Sequence, residues 1–405
     1  MAAMRAAVLA ALAVVLAGCG GGAATTSAKL DSGAAQLVPP NAIAFVSADS
    51  RFDSPQWRTL FDLVGPVKLT AKLKDAVGDQ LNVACIPTAD GSEVVAIVKP
   101  TDEARLRSFA ANFDKQQHYT VQKVGHWSVV ADSQEAFDAV RSAAAGRSLA
   151  DVAQFRAASG QVDGNALATA YADGTAVDKL GGRLAKLTSA TCSPKWVAAQ
   201  LVPEDHAARL EIRTSAPTPA SAYRPTLLRD VPSGAIAAVS FKDADGALAN
   251  MQALDHYLGF PVKSLLPALR GEGVAYVLPG ALIPIFVFEV QSPQPDAAER
   301  ALRKAAARVT LLPLRVTRYG ARVVLTNAPA SFKTPSGSLV DDQPYKDALA
   351  AAGVPDRVTF LAYADVQRLR PLLELLMVKT QRVEQVGSLV AFGTPSRMVV
   401  RAALK

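Results

Sequence analysis

The sequence predicts an α+β fold made of two tandem copies of a hairpin-rich antiparallel sheet with packed helices. The segment that begins Val38-Pro39 returns at Val231-Pro232: in both places a Val-Pro turn signal precedes an apolar, β-branched run that ends in Ser and then Asp. Strand patterns follow one another as hairpins and do not alternate singly with helices. Half of the 405 residues are apolar and a fifth are charged, enough for about two or three domains. The repeated segment favours two.

Residues 1–18 are predicted to be a signal peptide. They hold one basic residue, Arg5, then an apolar run at 6–16 that is too short to span a membrane, then small residues. The segment ends Leu16-Ala17-Gly18-Cys19, which resembles the bacterial lipobox, whose cysteine is lipidated and becomes the first residue after cleavage. The alternative is an ordinary secretory signal in which Cys19 is incidental. The resemblance implies a lipoprotein on the extracytoplasmic face of the cell membrane, with residues 19–36 as lipidated cysteine and flexible tether.

The first copy spans residues 37–215 and opens with the strand that ends at Asp49. Ser54 followed by Pro55 predicts a helix through Leu63, restarting after Gly65-Pro66 and running to Val77. Apolar residues at i, i+3, i+4 and i+7 predict a further helix at 102–113. Alternating runs and turn residues predict the other elements: strands at 81–86, 94–98, 119–124, 127–131, 166–172, 197–202 and 207–212, and helices at 134–145, 151–159 and after 173.

A Pro-rich linker, residues 216–230, leads to the second copy, residues 231–405. Its apolar run at 273–288 is predicted to be a hairpin of two buried strands, 274–278 and 283–290, because Pro279-Gly280 interrupts it where the first copy has a turn. A helix at 296–309 corresponds to the one at 102–113, and strands at 316–319 and 323–326 form the next hairpin. The helix at 134–145 is replaced by the short segment 333–337. Tyr171 and Tyr363 lie in matching strands and are expected in the core.

The first copy opens with Val38 to Asp49 followed by Asp53-Ser54-Pro55-Gln56-Trp57. This order of a Pro-containing turn, a short apolar strand ending near Asp and a Gln-Trp helix start resembles the bacterial exported proteins grouped as the domain of unknown function DUF3352. The resemblance spans about residues 37–405. The second copy lacks the Gln-Trp start and has Asn250-Met251-Gln252-Ala253 instead. The family has no known activity, so the resemblance implies export and no particular reaction.

Recognisable patterns for catalysis or metal binding are absent from the sequence. The four histidines are far apart, without metal-ligand spacing: His118, His126, His206 and His256. There is no phosphate-binding glycine motif, and no Ser or Cys has a recognisable base. Two pairs of aspartates recur in both copies: Asp49 with Asp243, and Asp173 with Asp365. Paired carboxylates are one interpretation and capping of the following element is the plainer one. We expect no enzyme, metal, cofactor or nucleic-acid partner.

Two classes of function remain open. The first is a non-catalytic, envelope-associated lipoprotein that binds a protein, a cell-wall polymer or lipid headgroups. The second is a carrier of an apolar or lipid ligand held between sheet and helices, with the runs at 282–290 and 372–378 lining its cavity. Ordinary core packing is the more common explanation of such runs. Co-purifying lipid would favour the carrier.

Two further cysteines, Cys85 and Cys192, lie in the first copy, and neither has a counterpart in the second. Export to an oxidising compartment favours a disulfide, which would stabilise the fold by about 4 to 5 kcal/mol in the chain-entropy model. The alternative is that Cys85 is a small buried hydrophobe.

The formal charge of +7 is concentrated in the second copy, since residues 20–215 sum to −1 and residues 216–405 to +7. A basic face is predicted on the helix at 296–309 and the hairpin that follows it: Arg300, Arg303, Lys304, Arg308, Arg315, Arg318 and Arg322. The i, i+4, i+8 spacing of Arg300, Lys304 and Arg308 keeps them within about 80° around the helix. This face is a candidate contact for anionic lipid headgroups or an acidic wall polymer. The alternative is a solvated face that serves solubility.

Overall fold

The computed structural model describes residues 30, 33–52, 54, 57, 72–113, 118–162, 166–175, 194–215, 221–243, 262–280, 283–309, 313–333, 335–375 and 384–404. The chain divides into two units: unit 1 comprises the described residues within 30–215 together with Leu404, and unit 2 comprises those within 221–403. The described residues form eight α-helices and sixteen strands, and the strand pairings are antiparallel. The predicted α+β class with antiparallel sheet is confirmed at that level.

The described part of unit 1 contains eight strands and four α-helices. The strands are β1 Ala44–Asp49, β2 Gln80–Thr88, β3 Gly91–Val98, β4 Thr120–Val124, β5 Trp127–Ala131, β6 Ala168–Asp173, β7 Trp196–Glu204 and β8 Ala207–Thr214. The helices are α1 Lys72–Val77, α2 Glu103–Phe113, α3 Gln134–Ala145 and α4 Ala153–Ser159, with 3₁₀ turns at Gly33–Leu37 and Leu149–Asp151. The strand order is β8-β7-β6-β1-β2-β3-β5-β4.

Local chemistry explains why these elements begin and end where they do. The Ser133 hydroxyl accepts the Ala136 N–H at 3.1 Å, which caps α3 at its predicted start. Gly125 turns the β4–β5 hairpin at φ +61°, a conformation that glycine adopts without strain. The β2–β3 hairpin is longer than predicted, because its register continues to the pair Thr88 and Gly91 and leaves a two-residue turn. The helix predicted after Ser54 falls almost wholly outside the described residues, as does the one after Asp173.

The larger apolar cluster of unit 1 lies on the face of its sheet covered by α3, α4 and the 3₁₀ turns. Phe45 and Tyr171 from neighbouring strands meet Phe155 from α4, with ring centroids 6.0 and 5.1 Å apart. Trp127 and Phe137 extend this apolar cluster toward the edge of the sheet. Burial of these aromatic side chains is the main favourable term for the unit.

Unit 2 also contains eight strands and four α-helices. The strands are β9 Ala237–Lys242, β10 Glu272–Leu278, β11 Ile285–Gln291, β12 Arg315–Tyr319, β13 Arg322–Thr326, β14 Phe360–Asp365, β15 Val386–Thr394 and β16 Arg397–Leu404. The helices are α5 Leu266–Leu269, α6 Pro295–Ala306, α7 Gln343–Ala352 and α8 Val366–Leu375, with 3₁₀ turns at Leu227–Arg229, Val262–Leu265 and Leu339–Asp341. The strand order is β16-β15-β14-β9-β10-β11-β13-β12.

Side chains pack on both faces of the unit 2 sheet. One face carries the larger cluster, in which Tyr345 of α7 meets Tyr363 of β14 at 5.1 Å between ring centroids. On the other face, Ala298 and Leu302 of α6 pack against Val290 and Val323. The run at 273–288 is a hairpin, as predicted from its interruption at Pro279-Gly280.

The helix α6 ends at Ala306, three residues before its predicted end at Val309. The N–H of Ala307 still donates four residues back, to Arg303, but those of Arg308 and Val309 donate only three residues back, to Ala305 and Ala306. The chain tightens into 3₁₀-type turns there. Arg308 therefore lies in the closing turn and not on the helix itself.

Candidate functional site

Six of the seven predicted basic residues are exposed, and Arg322 is half-buried. Among the six, the side chains of Arg300, Lys304 and Arg308 make no hydrogen bond or ion pair with any other described residue. Ala298, Leu302 and Ala305 occupy the buried side of α6, so Arg300 and Lys304 point away from the sheet. These three side chains are the free cations of the predicted basic face, and we call them the basic triplet.

The other four predicted residues are engaged within unit 2. Arg303 pairs with Glu299 at 2.7 Å on the same helix. Arg318 pairs with Asp296, and Arg322 bridges Asp230 at 2.7 Å and Glu289 at 3.2 Å. Arg315 donates to the carbonyl of Ala328. The sequence pattern thus identified the basic residues. In the folded unit, four of them bind nearby carboxylates or a carbonyl, and the side chains of the other three are free of such partners in the described chain.

The stretch around the triplet has a charge bias that the sequence analysis did not single out. Residues 300–340 contain no Asp or Glu and eight Lys or Arg residues. The eighth is Lys333, which is exposed and has no ion-pair partner in the described chain. All carboxylates that pair with this stretch come from elsewhere in unit 2, and they neutralise Arg303, Arg318 and Arg322. Counting both signs in a window would have found this feature from the sequence alone.

Two carboxylates that contact Arg322, the buried Glu289 and the exposed Asp230, were not predicted from the sequence. Glu289 on β11 is buried, and burial raises the pKa of its carboxyl; Asp230 raises this pKa further, while Arg322 lowers it. Tyr276 lies on the neighbouring strand, and burial raises the pKa of its phenol to about 12. A charged residue inside the apolar run Ile285–Gln291 was the available signal. Because Arg322 compensates Glu289, this cluster is explained as an internal ion pair.

A second carboxylate cluster lies in unit 1, at the start of α3. Glu93 on β3 accepts the N–H groups of Asp132 and Ser133 at 2.8 and 3.1 Å and the Ser133 hydroxyl. Burial and the neighbouring Asp132 carboxyl raise the pKa of Glu93 to about 7. No Lys or Arg pairs with Glu93 among the described residues. The bonds tie β3 to the turn that starts α3, a structural role that needs no substrate.

The recurring aspartates all bind backbone or neighbouring groups at strand ends. Asp365 accepts the Arg368 N–H at 3.1 Å and so caps α8. Asp173 accepts the N–H of Thr175 at 2.8 Å, and Asp243 accepts the N–H of Gly271 at 2.6 Å. Asp49 is buried and forms a two-pronged ion pair with Arg51. Among the described residues only Asp365 caps a helix; Asp49 and Asp173 bind groups two residues ahead, and Asp243 binds a backbone group 28 positions away.

Of the cysteines, only Cys85 lies within the described residues. It is buried in β2 beside Ile43, Ala44 and Ala172. Cys19 and Cys192 fall outside the described chain, so lipidation and the disulfide between Cys85 and Cys192 stay predictions. Two free thiols in the unfolded, non-reduced protein would contradict the disulfide.

The described residues contain no group of three or more His, Cys, Asp or Glu side chains placed to hold a metal ion. His118, His126 and His206 are exposed in unit 1, and His256 is outside the described part. No helix in the described ranges is long and apolar enough to cross a membrane.

Comparison with known proteins adds little to this picture. No protein-family model matches the chain, and no curated protein matches it. Among solved structures, crystal form III of TP0453 overlaps it with a TM-score of 0.20 at 10% identity, covering 72% of this chain and 92% of that one. Crystal form I of TP0453 gives a TM-score of 0.19 at 9% identity, covering 75% and 94%. Scores this low assign neither a fold nor a function.

Proposed function

We propose that the protein is a membrane-anchored, extracytoplasmic lipoprotein that acts without catalysis and binds an anionic surface through unit 2. The observation that carries this proposal is the basic triplet, Arg300, Lys304 and Arg308, exposed and unpaired while the neighbouring cations are neutralised. Phospholipid headgroups and an acidic wall polymer both present the phosphate or carboxylate groups that such cations bind. Each basic group near an anionic membrane contributes about 1 kcal/mol, less at high salt.

The test is sedimentation of the chain lacking residues 1–19 with anionic liposomes or an acidic polymer, at low and high salt. Changing Arg300, Lys304 and Arg308 to Gln should weaken binding by about two orders of magnitude at low salt, because three contacts of about 1 kcal/mol each are lost. The loss should shrink at high salt, where both proteins bind poorly.

A matched control removes the same charge from cations that have partners in unit 2. Arg224 pairs with Asp356 at 3.0 Å, Lys346 with Asp341 at 4.0 Å, and Arg357 donates to the carbonyl of Ala222 at 2.8 Å. Changing these three to Gln lowers the net charge equally and should leave most of the binding intact. Equal weakening by both triple variants would mean that only net charge matters and that the triplet is not a site.

The anchor is tested at Cys19. The lipobox-like segment before it supports a lipidated cysteine at the start of the mature protein. Cys19→Ser should release the protein from the membrane fraction and remove the lipid mass from its first peptide. A variant that keeps both properties would contradict the anchor.

We also infer that the two units are tandem copies, in keeping with the resemblance to the DUF3352 proteins. Both sheets have the same strand order when the strands are numbered from the start of each unit. Matching backbone bonds support this: Leu149 and Leu339 donate to Val38 and Val231 at 2.7 and 2.8 Å, and Asp173 and Asp365 donate to Ile43 and Ile236 at 2.9 and 2.8 Å. Residues 221–230 of the predicted linker lie in unit 2, where Tyr223, Leu227 and Leu228 are buried in its core, so this inference places the start of the second copy before residue 231.

The alternative function, carriage of an apolar ligand, is favoured by one observation. Val239, on the central strand β9 of unit 2, is 42% exposed, and Phe241 beside it on the same face is only half-buried. A ligand covering this face would co-purify. Native mass spectrometry of the protein should show a bound lipid if the carrier is correct and the bare protein if the surface-binding function is correct.

A further inference from the structure

The hairpin between β10 and β11 ends in an exposed apolar tip, described here by Pro279, Gly280, Ile283 and Pro284. Ile283 is 49% exposed, which makes it one of the most exposed large apolar side chains in the described chain. The Nδ2 of Asn327 donates to the carbonyl of Pro284 at 2.9 Å, and the N–H of Phe286 donates to the Oδ1 of Asn327 at 2.7 Å. The tip is therefore held to the end of β13.

The register places a basic group, Arg315, at this same end of the sheet; its guanidinium donates to the carbonyl of Ala328 and has no carboxylate partner among the described residues. Arg315, the first residue of β12, lies opposite Thr326, which lies opposite Val287 near the start of β11. Since neighbouring strands are about 4.8 Å apart, β12 begins about 10 Å from the hairpin that carries Ile283.

The helix α6 points toward this end as well. Its first turn is fixed at the far end by the ion pair between Asp296 and Arg318, which is near the close of β12. The helix then runs along β12 and β13 for about 18 Å at 1.5 Å per residue. Lys304 lies in the last turn of the helix, and Arg308 lies in the closing turn just after it. The chain returns to the sheet at Arg315. No acidic residue occurs between positions 300 and 340 to neutralise them.

The opposite end of the same strands is a natural comparison. Its hairpin turn carries Tyr319, 66% exposed, so it too presents a large apolar group. The cations there are paired, however: Arg318 with Asp296 and Arg322 with Asp230 and Glu289. Among the described residues, the Ile283 end combines an exposed apolar side chain with two cations that have no carboxylate partner, Arg308 and Arg315, and the Tyr319 end does not.

Building on the proposed anionic-surface function, we infer that the Ile283 end of unit 2 docks on an anionic phospholipid bilayer, with Ile283 entering the interface and Arg308 and Arg315 contacting headgroups. A bilayer offers phosphate groups directly above an apolar layer, which matches a protruding isoleucine beside cations. An acidic wall polymer offers the anions but no apolar layer for the tip. Of the two anionic surfaces, the exposed apolar tip therefore favours the bilayer.

The test compares Ile283→Ser with Tyr319→Ser in the chain lacking residues 1–19, the form in which both units are whole. The probes are vesicles of phosphatidylglycerol and phosphatidylcholine and, separately, soluble polyglycerol phosphate. Ile283→Ser should weaken vesicle binding about tenfold, since the transfer of a partly exposed isoleucine is lost, and should leave polymer binding unchanged. Tyr319→Ser should bind vesicles as the unaltered protein does.

A second measurement reports insertion directly. Ile283→Trp adds an indole to the three tryptophans of the chain, and brominated lipids should quench its fluorescence beyond the quenching of the unaltered protein. If Ile283→Ser binds vesicles as the unaltered protein does, and Ile283→Trp shows no extra quenching, the proposed insertion of Ile283 is wrong while binding to anionic surfaces stands. Binding to the polymer alone would overturn the bilayer assignment. Binding to neither probe would remove the proposed function itself.

Discussion

The helices α2 and α6 each follow the third strand of their unit in chain order, yet their exposed surfaces differ in charge. The cations of α2 are neutralised, since Arg107 pairs with Glu103 at 2.8 Å, and Arg105 pairs with Asp75 and Asp102. On α6 only Arg303 has a partner within the helix. Both helices bury small and medium apolar residues, such as Leu106 and Leu302. The packing requirement is met equally by both, so the basic surface of α6 is not needed to build its unit.

The cores of the two units, in contrast, are alike. Phe155 meets Tyr171 at 5.1 Å and 79°, and Tyr345 meets Tyr363 at 5.1 Å and 81°. Burial raises the pKa of both strand tyrosines to about 12. Each core holds an edge-to-face aromatic pair, while the helix surfaces of the two units differ in charge. Packing therefore constrains the cores, and the exposed surfaces are free to acquire binding groups.

The largest expected effect tests this likeness of the cores. Phe155→Ala and Tyr345→Ala should each lower the free energy of unfolding of their own unit by about 3 to 5 kcal/mol, because both rings are buried and a cavity remains. Hydrogen exchange followed by mass spectrometry would report each unit separately. Tyr319→Ala, at an exposed aromatic, should change stability by less than about 0.5 kcal/mol. A large loss in one unit and none in the other would break the comparison.

A smaller effect is expected where the units differ in how a buried glutamate is compensated. Arg322→Gln removes the cation next to Glu289, and the free energy of unfolding of unit 2 should fall by about 2 kcal/mol at neutral pH. This is less than the cost of breaking a fully buried pair, because the Arg322 side chain is 42% exposed. Urea unfolding at pH 7 measures it. Changing Glu289 to Gln as well should restore most of the loss; a double variant no better than Arg322→Gln would show that the pair is not the cause.

The smallest effect concerns Glu93, which has no such cation in the described chain. Folding raises the pKa of this carboxyl from 4.5 to about 7, so the folded state holds its proton more tightly and loses stability as pH rises between those values. Glu93→Gln should remove about 1 kcal/mol of this pH dependence in unit 1, less than the full conversion because the carboxyl keeps contact with water. Unfolding curves at pH 4.5 and pH 8 should then differ less than those of the unaltered protein. An unchanged difference would assign the titration to another group.

The order of elements was predictable because it depends on local signals. Turn residues such as Gly125 and Pro279, the cap at Ser133 and the alternation of the strands all act within a few residues, and the observed elements agree with them to within about three residues. The end of α6 was misplaced because the switch to 3₁₀ turns at Arg308 has no strong side-chain signal.

The sequence by itself determined the type of most described elements and the positions of the basic residues, since turn signals, periodicity and composition express these directly. Only the tertiary structure decided which charges are free. Arg322 meets Asp230 and Glu289, 92 and 33 positions away, whereas Arg308 meets no carboxylate in the described chain, and no local pattern distinguishes these two arginines. Likewise, the register from β11 through β13 to β12 brings Ile283 to the end of the sheet that carries Arg315. Pairing between distant segments follows from sheet register and helix direction, which are properties of the folded chain as a whole.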